Sequence, residues 1–389
     1  MSFDAKKIGV GWHLALHFPY LPTYDYDFVK CLIKATSFEE IKILTDVSGS
    51  GTLPIANGLD GLNIVRAKIF KILGIWLTPA LIVEAIRLPK NNVIVYCASP
   101  RDLTTLIAAL LARSLGKKVV FWGMFHSIGK TRWVTATIFK LMGIIGHKNF
   151  TYARTGAVAQ MARGIQPRKL MRIGTAIGDI SNLVPVFSES KVEIAAKISP
   201  DLIIHESTFV IAHVMRLSKF KNVEKFINCC VALAELAIDI KLIVVGGGEM
   251  DSHVKHRLGA LGVSHVCYFA GPIYKQDVLK ALYQISDVSL IATCIGLTLH
   301  QSLSYSVPVI TDDSLSEQTS EFEILTHNYN GLIYRENDFD DLKKCVLELY
   351  NDSSVVIKLK QNAAESLSGH SLSIKVRNFY NALNHLSKE

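Results

Sequence analysis

The chain is 389 residues long, 49% apolar and 20% charged, with 42 Lys and Arg against 34 Asp and Glu. That length exceeds what one hydrophobic core usually supports, so two domains of ordinary size are expected, and the composition excludes extended disorder away from the termini. Charge is shared unevenly: residues 1–185 hold 23 basic against 10 acidic residues, and residues 186–389 hold 19 against 24.

A basic N-terminal half points to an anionic partner, either nucleic acid or the inner face of a membrane, unless its charges only solvate the surface. No helix-turn-helix, zinc or RNA-sheet signature occurs, so no nucleic-acid partner is expected. The seven cysteines are scattered, odd in number and free of Cys-x-x-Cys spacing. This predicts free thiols in a reducing compartment, without disulfides or structural zinc. The opening residues, MSFDAKKIGVGW, carry charge where a signal peptide needs an apolar core, so a cytoplasmic location is expected, with peripheral contact at the inner membrane face.

In chain order, strands are predicted at 8–12, 41–44, 93–96, 119–122 and 170–173, with helices at 103–115, 133–145 and 157–163. Residues 69–86 are the most hydrophobic candidate for a membrane span, but Lys71, Pro79 and Glu84 interrupt them. A soluble or interfacial helical segment is predicted there instead. In the second half strands are predicted at 209–213, 242–245, 266–269, 288–291 and 309–310, with helices such as 223–236 and 278–285. Two series of strands, each strand followed by a helical stretch, predict two α/β domains with parallel sheets. The N-terminal domain is placed at 1–185 and the C-terminal domain at 186–365, with 366–389 as a helix returning to the first domain. Ligand-binding loops are expected at the carboxyl ends of the strands, lining a cleft between the two lobes.

The chemistry concentrates in the second half. Arg216 and Lys221 lie five residues apart on a strand-to-helix connection, with a helix opening near Asn222. Two fixed cations beside a helix N-terminus suit a diphosphate, because point charges and free N–H groups both favour it. A solvated basic loop is the alternative. Gly246, Gly247 and Gly248 end a strand and open a helix, where they serve either a tight turn or close approach of a ligand. A third element runs from Gly296 through Leu297 and Thr298 to Gln301, then to Pro308 and a buried strand. The helix start near Gly296 would aim N–H groups at phosphate oxygens, and Gln301, about one turn on, is in reach of a ribose hydroxyl.

In order and spacing these elements resemble the C-terminal domain of retaining GT-B glycosyltransferases, the group 1 or family 4-like enzymes. The family's Gly-Arg-Leu with Lys-Gly, its Val-Gly-x-Gly turn, its Phe-x-Gly strand end and its Ala-Asp helix end correspond to MRLSKFKN, VVGGG, YFAG and LYQISDV. GLTLHQSLSYSVPVI and NGLIY continue the match, which is clear over roughly residues 209–350. The branch most similar in flavour is the capsule and surface-polysaccharide transferases, whose Pro-Glu-Phe-Glu block is similar to SEFE at 320–323. Their Phe-Trp-Gly-His-Gly strand end is similar to FWGMFH at 121–126, with the His displaced.

This resemblance implies a GT-B fold of the α/β class, two Rossmann-like doubly wound domains facing across a cleft. It implies a hexosyltransferase that uses a UDP- or GDP-sugar donor and a glycan or lipid-linked acceptor in surface-polysaccharide or glycoconjugate synthesis. Arg216 and Lys221 would hold the donor diphosphate and neutralise charge on the leaving group, without metal or cofactor. Gly246 and Gly247, then Gly296, Leu297 and Thr298, would border the donor. Gln301 stands in place of a ribose-binding Glu, Glu321 and Glu323 fall in the donor block, and His126 would contact the donor sugar. Thr293 and Gln301 replace the family's paired Glu residues, and Ser306, Asn222 and Ser320 replace two Gly and a Pro. These departures leave a non-catalytic GT-B-like partner subunit and a nucleotide-sugar epimerase as alternatives.

Overall fold

The computed structural model describes residues 12–48, 61–129, 131–177 and 189–387. Residues 8–11 of the predicted first strand lie outside them. The chain divides into two compact units, Met1–Gly178 with His370–Glu389, and Asp179–Gly369.

The first unit is built from β1 (His13–Phe18), α1 (Thr23–Ala35), β2 (Glu40–Thr45), β3 (Asn63–Arg66), β4 (Phe70–Ile72), β5 (Ile75–Leu77), α2 (Ala80–Arg87), β6 (Asn92–Cys97), α3 (Thr104–Ser114), β7 (Lys118–Gly123), α4 (Trp133–Ile145), β8 (Lys148–Thr151), α5 (Arg154–Ala162) and β9 (Leu170–Arg172). Seven of the strands form one parallel sheet in the order β3-β2-β1-β6-β7-β8-β9. Runs such as LALHF and NVIVYC are near-continuously apolar because both faces of this sheet are covered. On one face Leu14, Leu16, Val95 and Val120 pack with Phe28 and Val29 of α1; on the other Ile94 and Phe121 pack with Leu81, Ala108 and Phe139 of α2, α3 and α4. Residues 69–86 depart from the prediction of one helical segment. Leu73 and Gly74 take positive φ (49° and 82°), which turns the chain back into the antiparallel hairpin β4–β5, and only then does α2 begin behind Pro79.

The second unit contains α6 (Lys191–Ile198), β10 (Phe209–Val214), α7 (Val223–Ala234), β11 (Ile240–Val245), α8 (Asp251–Ala260), β12 (Cys267–Gly271), α9 (Gln276–Ile285), β13 (Val288–Leu290), α10 (Leu297–Ser304), β14 (Val309–Asp312), β15 (Gly331–Tyr334), α11 (Phe339–Asn351) and α12 (Ser353–Glu365). Its sheet is also parallel, in the order β12-β11-β10-β13-β14-β15. Local signals set several helix starts. Ser190 and Glu193 form a capping box before α6, and the Asp338 and Asp352 side chains accept the free N–H groups that open α11 and α12. Phe226, Leu242, Val244 and Val346 make the core on one side, and Val210, Ile243, Leu282 and Tyr283 on the other.

The last helix, α13 (Leu372–Ser387), belongs to the first unit. Its Phe379 is fully buried, with ring centroids 5.3 Å from Phe28, 5.8 Å from Trp122 and 5.4 Å from Phe150. All seven cysteines are free thiols in this structure; the Cys267 thiol donates to Cys230 Sγ at 3.6 Å.

Candidate active site

In the second unit the strand order reverses about β10, which has β11 on one side and β13 on the other. Loops leaving adjacent strands in opposite directions open a crevice at the carboxyl end of such a sheet. Arg216 and Lys221 follow β10, and Gly296 follows β13, so three of the residues singled out in the sequence flank this switch point. His213, at the end of β10, is buried rather than available to a ligand; its Nδ1–H donates to the Leu290 carbonyl at 2.8 Å.

The glycine turn explains how the Arg216 loop is held. A Cβ on Gly246 would lie 2.1 Å from the Met215 carbonyl oxygen, and one on Gly248 would lie 2.3 Å from that of Leu217. Both glycines also have positive φ, 133° and 155°. Their hydrogen therefore lets the β11 turn press against the backbone on either side of Arg216, where Leu217 N–H donates to Gly247 O at 3.1 Å. A Cβ on Gly247 would make only an ordinary contact, with Pro272 Cδ at 3.9 Å. The turn thus brings chain close to chain at Gly246 and Gly248. Arg216 is exposed, and Glu249, on the same turn, accepts from Lys219 N–H at 3.2 Å.

Lys221 reaches across to the second loop. Its ammonium donates to the Cys294 carbonyl at 2.8 Å, and Thr293 Oγ1 donates back to the Lys221 carbonyl at 3.0 Å. Cys294 takes φ 51°, which turns its carbonyl out of the strand direction just before Gly296 caps α10. A third loop, after β14, completes the support. Gln318 accepts from Ile295 N–H at 2.9 Å and donates to the Asp312 carbonyl at 3.1 Å; Thr319 bonds the Ile295 carbonyl and the Glu321 carboxylate. Glu321 and Glu323 lie on the short 3-10 turn Ser320–Ile324 beside it, Glu321 buried and Glu323 half-buried. Leu297 and Thr298, the first residues of α10, are half-buried, and Gln301 lies one turn on, where it accepts from Tyr283 Oη at 3.4 Å.

Beneath these loops lies an ion cluster that the sequence reading missed. Lys225, 3% exposed in α7, pairs with the buried Asp312 and with Glu317 at 3.2 Å. Burial opposes its charge, yet the two carboxylates hold its pKa above the ordinary lysine value. The cluster ties α7, which starts behind Lys221, to the loop that carries Gln318. One signal was present: helical periodicity sets Lys225 in step with Cys229 and Ala232, on the face that turns inward. Gln318 gave none, since an amide gains its role only from the loop it meets, and Thr293 stood out only as a departure from the family's paired Glu residues.

His126 belongs to the first unit, at the carboxyl end of β7. It is half-buried, and its Nδ1–H donates to the Met124 carbonyl at 3.0 Å. The turn before it is rigid. Phe125 is buried at φ 57°, Arg163 donates to its carbonyl at 2.8 Å, and a Cβ on Gly156 would meet the Met124 carbonyl at 2.2 Å.

Residues 195–366, which carry both loops and the ion cluster, match the family model described as glycosyl transferases group 1. Over these residues the second unit is similar to the group 1 glycosyl transferases. Over 165 residues the chain is 23% identical to the Bacillus subtilis (strain 168) protein named as glycosyltransferase EpsD, a stretch covering 41% of each. It is 29% identical over 132 residues to a Methanocaldococcus jannaschii glycosyltransferase, MJ1607, covering 33% of this chain and 32% of that one. The chain thus matches less than half the length of these relatives. Among solved structures it is similar to Anabaena HepE in complex with UDP (TM-score 0.73, 14% identity, 96% of this chain and 99% of that one). It is also similar to the lipopolysaccharide outer core galactosyltransferase WaaB (TM-score 0.72, 14% identity, 97% and 100%). These likenesses show the fold: the transferase domain and the unit before it are the two Rossmann-like domains of a GT-B architecture.

Proposed function

We propose that this chain is a retaining hexosyltransferase. Its donor is a nucleotide sugar, UDP- or GDP-linked, and its acceptor a glycan or lipid-linked molecule of surface-polysaccharide or glycoconjugate synthesis. The reaction needs no metal, and the basic N-terminal domain contacts the inner face of an anionic membrane. The observation that carries this reading is the junction of Lys221 with the 293–296 loop, which sets a cation beside the N-terminus of α10 and next to the Arg216 loop. As the bond from the sugar to the diphosphate breaks, negative charge builds on the leaving phosphate. Fixed cations and N–H groups already aimed at that place lower the barrier without reorganising. In this scheme Arg216 and Lys221 hold the diphosphate, the Gly296–Thr298 backbone meets it from the other side, Gln301 takes a ribose hydroxyl, and His126 contacts the sugar. Gly246 and Gly247 border the donor, and Glu321 and Glu323 complete its pocket.

UDP is the first nucleotide to try, because HepE is solved with UDP and with UDP-glucose. A nucleotide at 100 times its dissociation constant should stabilise the fold by roughly 2.7 kcal/mol. UDP, GDP, ADP and TDP are therefore compared by melting temperature. Arg216→Ala and Lys221→Ala should each lower turnover about a hundredfold or more. Full activity in either variant would remove the diphosphate role. No shift with any nucleotide would favour a non-catalytic partner subunit, the reading that Thr293 and Gln301 in place of two glutamates supports.

A further inference from the structure

Residues 61–178 contain 18 Lys and Arg but two carboxylates, Glu84 and Asp102, and both are buried. No acidic side chain of this stretch therefore reaches the surface to offset its cations. The same stretch exposes large apolar side chains, and the most exposed is Leu73, at 99%. It sits at the tip of the β4–β5 hairpin, where Phe70, Ile72, Ile75 and Leu77 are exposed as well.

Two three-residue strands are too short to hold together alone. Here the stem is fixed by three hydrogen bonds to two neighbouring segments. Trp76 N–H donates to Arg101 O at 2.7 Å, Thr78 Oγ1 donates to Asp102 at 2.8 Å, and Ile69 N–H donates to Asp46 at 2.8 Å. Lys68 lies 5.4 Å from the Phe70 ring and Lys71 5.7 Å from that of Trp76, so cations flank the apolar tip. Asp46 and Arg101 follow β2 and β6, and the hairpin thus stands on the carboxyl edge of the sheet, the edge that also carries His126 after β7.

We infer that residues 72–75 insert into the interface of an anionic lipid bilayer while Lys68 and Lys71 rest on its headgroups. A polyanion such as RNA would satisfy the cations but leave Leu73 and Ile72 in water; a bilayer accepts both. The inference deepens the membrane contact proposed above, for it brings the carboxyl edge of the N-terminal sheet to the surface where a lipid-linked acceptor is anchored.

The test is sedimentation of the whole chain with phosphatidylcholine vesicles containing about 30% phosphatidylglycerol, a composition that gives a negative surface. The wild type should bind, and raised salt should weaken binding. Leu73→Asp should weaken it about tenfold or more, and Lys68→Glu with Lys71→Glu should do likewise. Melting temperature and its shift with UDP should stay at wild-type values in Leu73→Asp, since Leu73 is 99% exposed. Undiminished vesicle binding by Leu73→Asp overturns the inference, as does wild-type failure to sediment. Tighter binding to a single-stranded polynucleotide, indifferent to Leu73→Asp, assigns the surface to a polyanion and overturns it too. A UDP shift that persists through any of these leaves the transferase reading standing.

Discussion

His213 shows how one residue beside the site couples to pH. Its ring stacks on Phe226, with centroids 4.0 Å apart. Burial lowers its pKa from 6.5 to about 4; the bond to Leu290 opposes the shift, and the Lys221 charge reinforces it. An unfolded imidazole titrates near 6.5, so the unfolded chain takes up the proton first as pH falls. The stabilisation is complete above about pH 6.5 and is lost toward pH 4, with a total on the order of 3 kcal/mol. The transferase domain should therefore melt at lower temperature as pH drops across this window. His213→Gln, which keeps a donor for the Leu290 carbonyl, should flatten that dependence. An unchanged slope in the variant would locate the proton elsewhere.

At the scale of elements, the β11–α8 turn discriminates between its own glycines. Gly246→Ala puts a methyl group 2.1 Å from a backbone oxygen at a φ that side chains rarely adopt, so the Met215–Leu217 backbone has to move. The displacement carries Arg216 with it. This variant should lose roughly 2 kcal/mol of stability and most of its nucleotide-induced melting shift. Gly247→Ala, whose Cβ would meet only Pro272 Cδ at 3.9 Å, should melt within a few degrees of wild type. Equal behaviour of the two would show that the turn does not set the Arg216 loop. Because α7 begins immediately behind Lys221 and Lys225 anchors that helix to Asp312, movement in any one of the three loops reaches the others.

For the whole molecule, the crossing of the last helix back to the first unit decides what counts as a domain. Val376, Phe379, Ala382, Leu383 and Leu386 are all buried against the N-terminal core. Removing a buried aromatic ring leaves a cavity and costs about 3–5 kcal/mol. Phe379→Ala should therefore destabilise the N-terminal unit, seen as an earlier first transition in calorimetry, while the nucleotide-induced shift of the C-terminal unit persists. Truncation after residue 369 should act in the same direction and more strongly. A loss confined to the C-terminal unit would contradict this assignment of α13. No described helix is long and apolar enough to cross a membrane.

The α/β class, the parallel sheets and the order of the chemical motifs are written in local patterning. Apolar runs of four to six residues, each followed by a helical pattern, have few other ways to bury themselves, and helices such as 133–145 were legible to the residue. Arg216, Lys221 and Gly296 were legible because they stand at strand ends, where local patterning fixes the position. The strand at His13–Phe18, with a buried histidine inside it, and the hairpin within 69–86 were not, since their environment comes from distant parts of the chain. Long-range packing alone makes the glycine turn press on a neighbouring loop, lets Thr293 and Gln318 tie loops together, and buries Lys225 among carboxylates. A hydrogen bond or ion pair of this kind depends on residues from different loops, 23 positions apart for Ile295 and Gln318 and 92 for Lys225 and Glu317, meeting at about 3 Å. Periodicity within one segment carries no information about that distance.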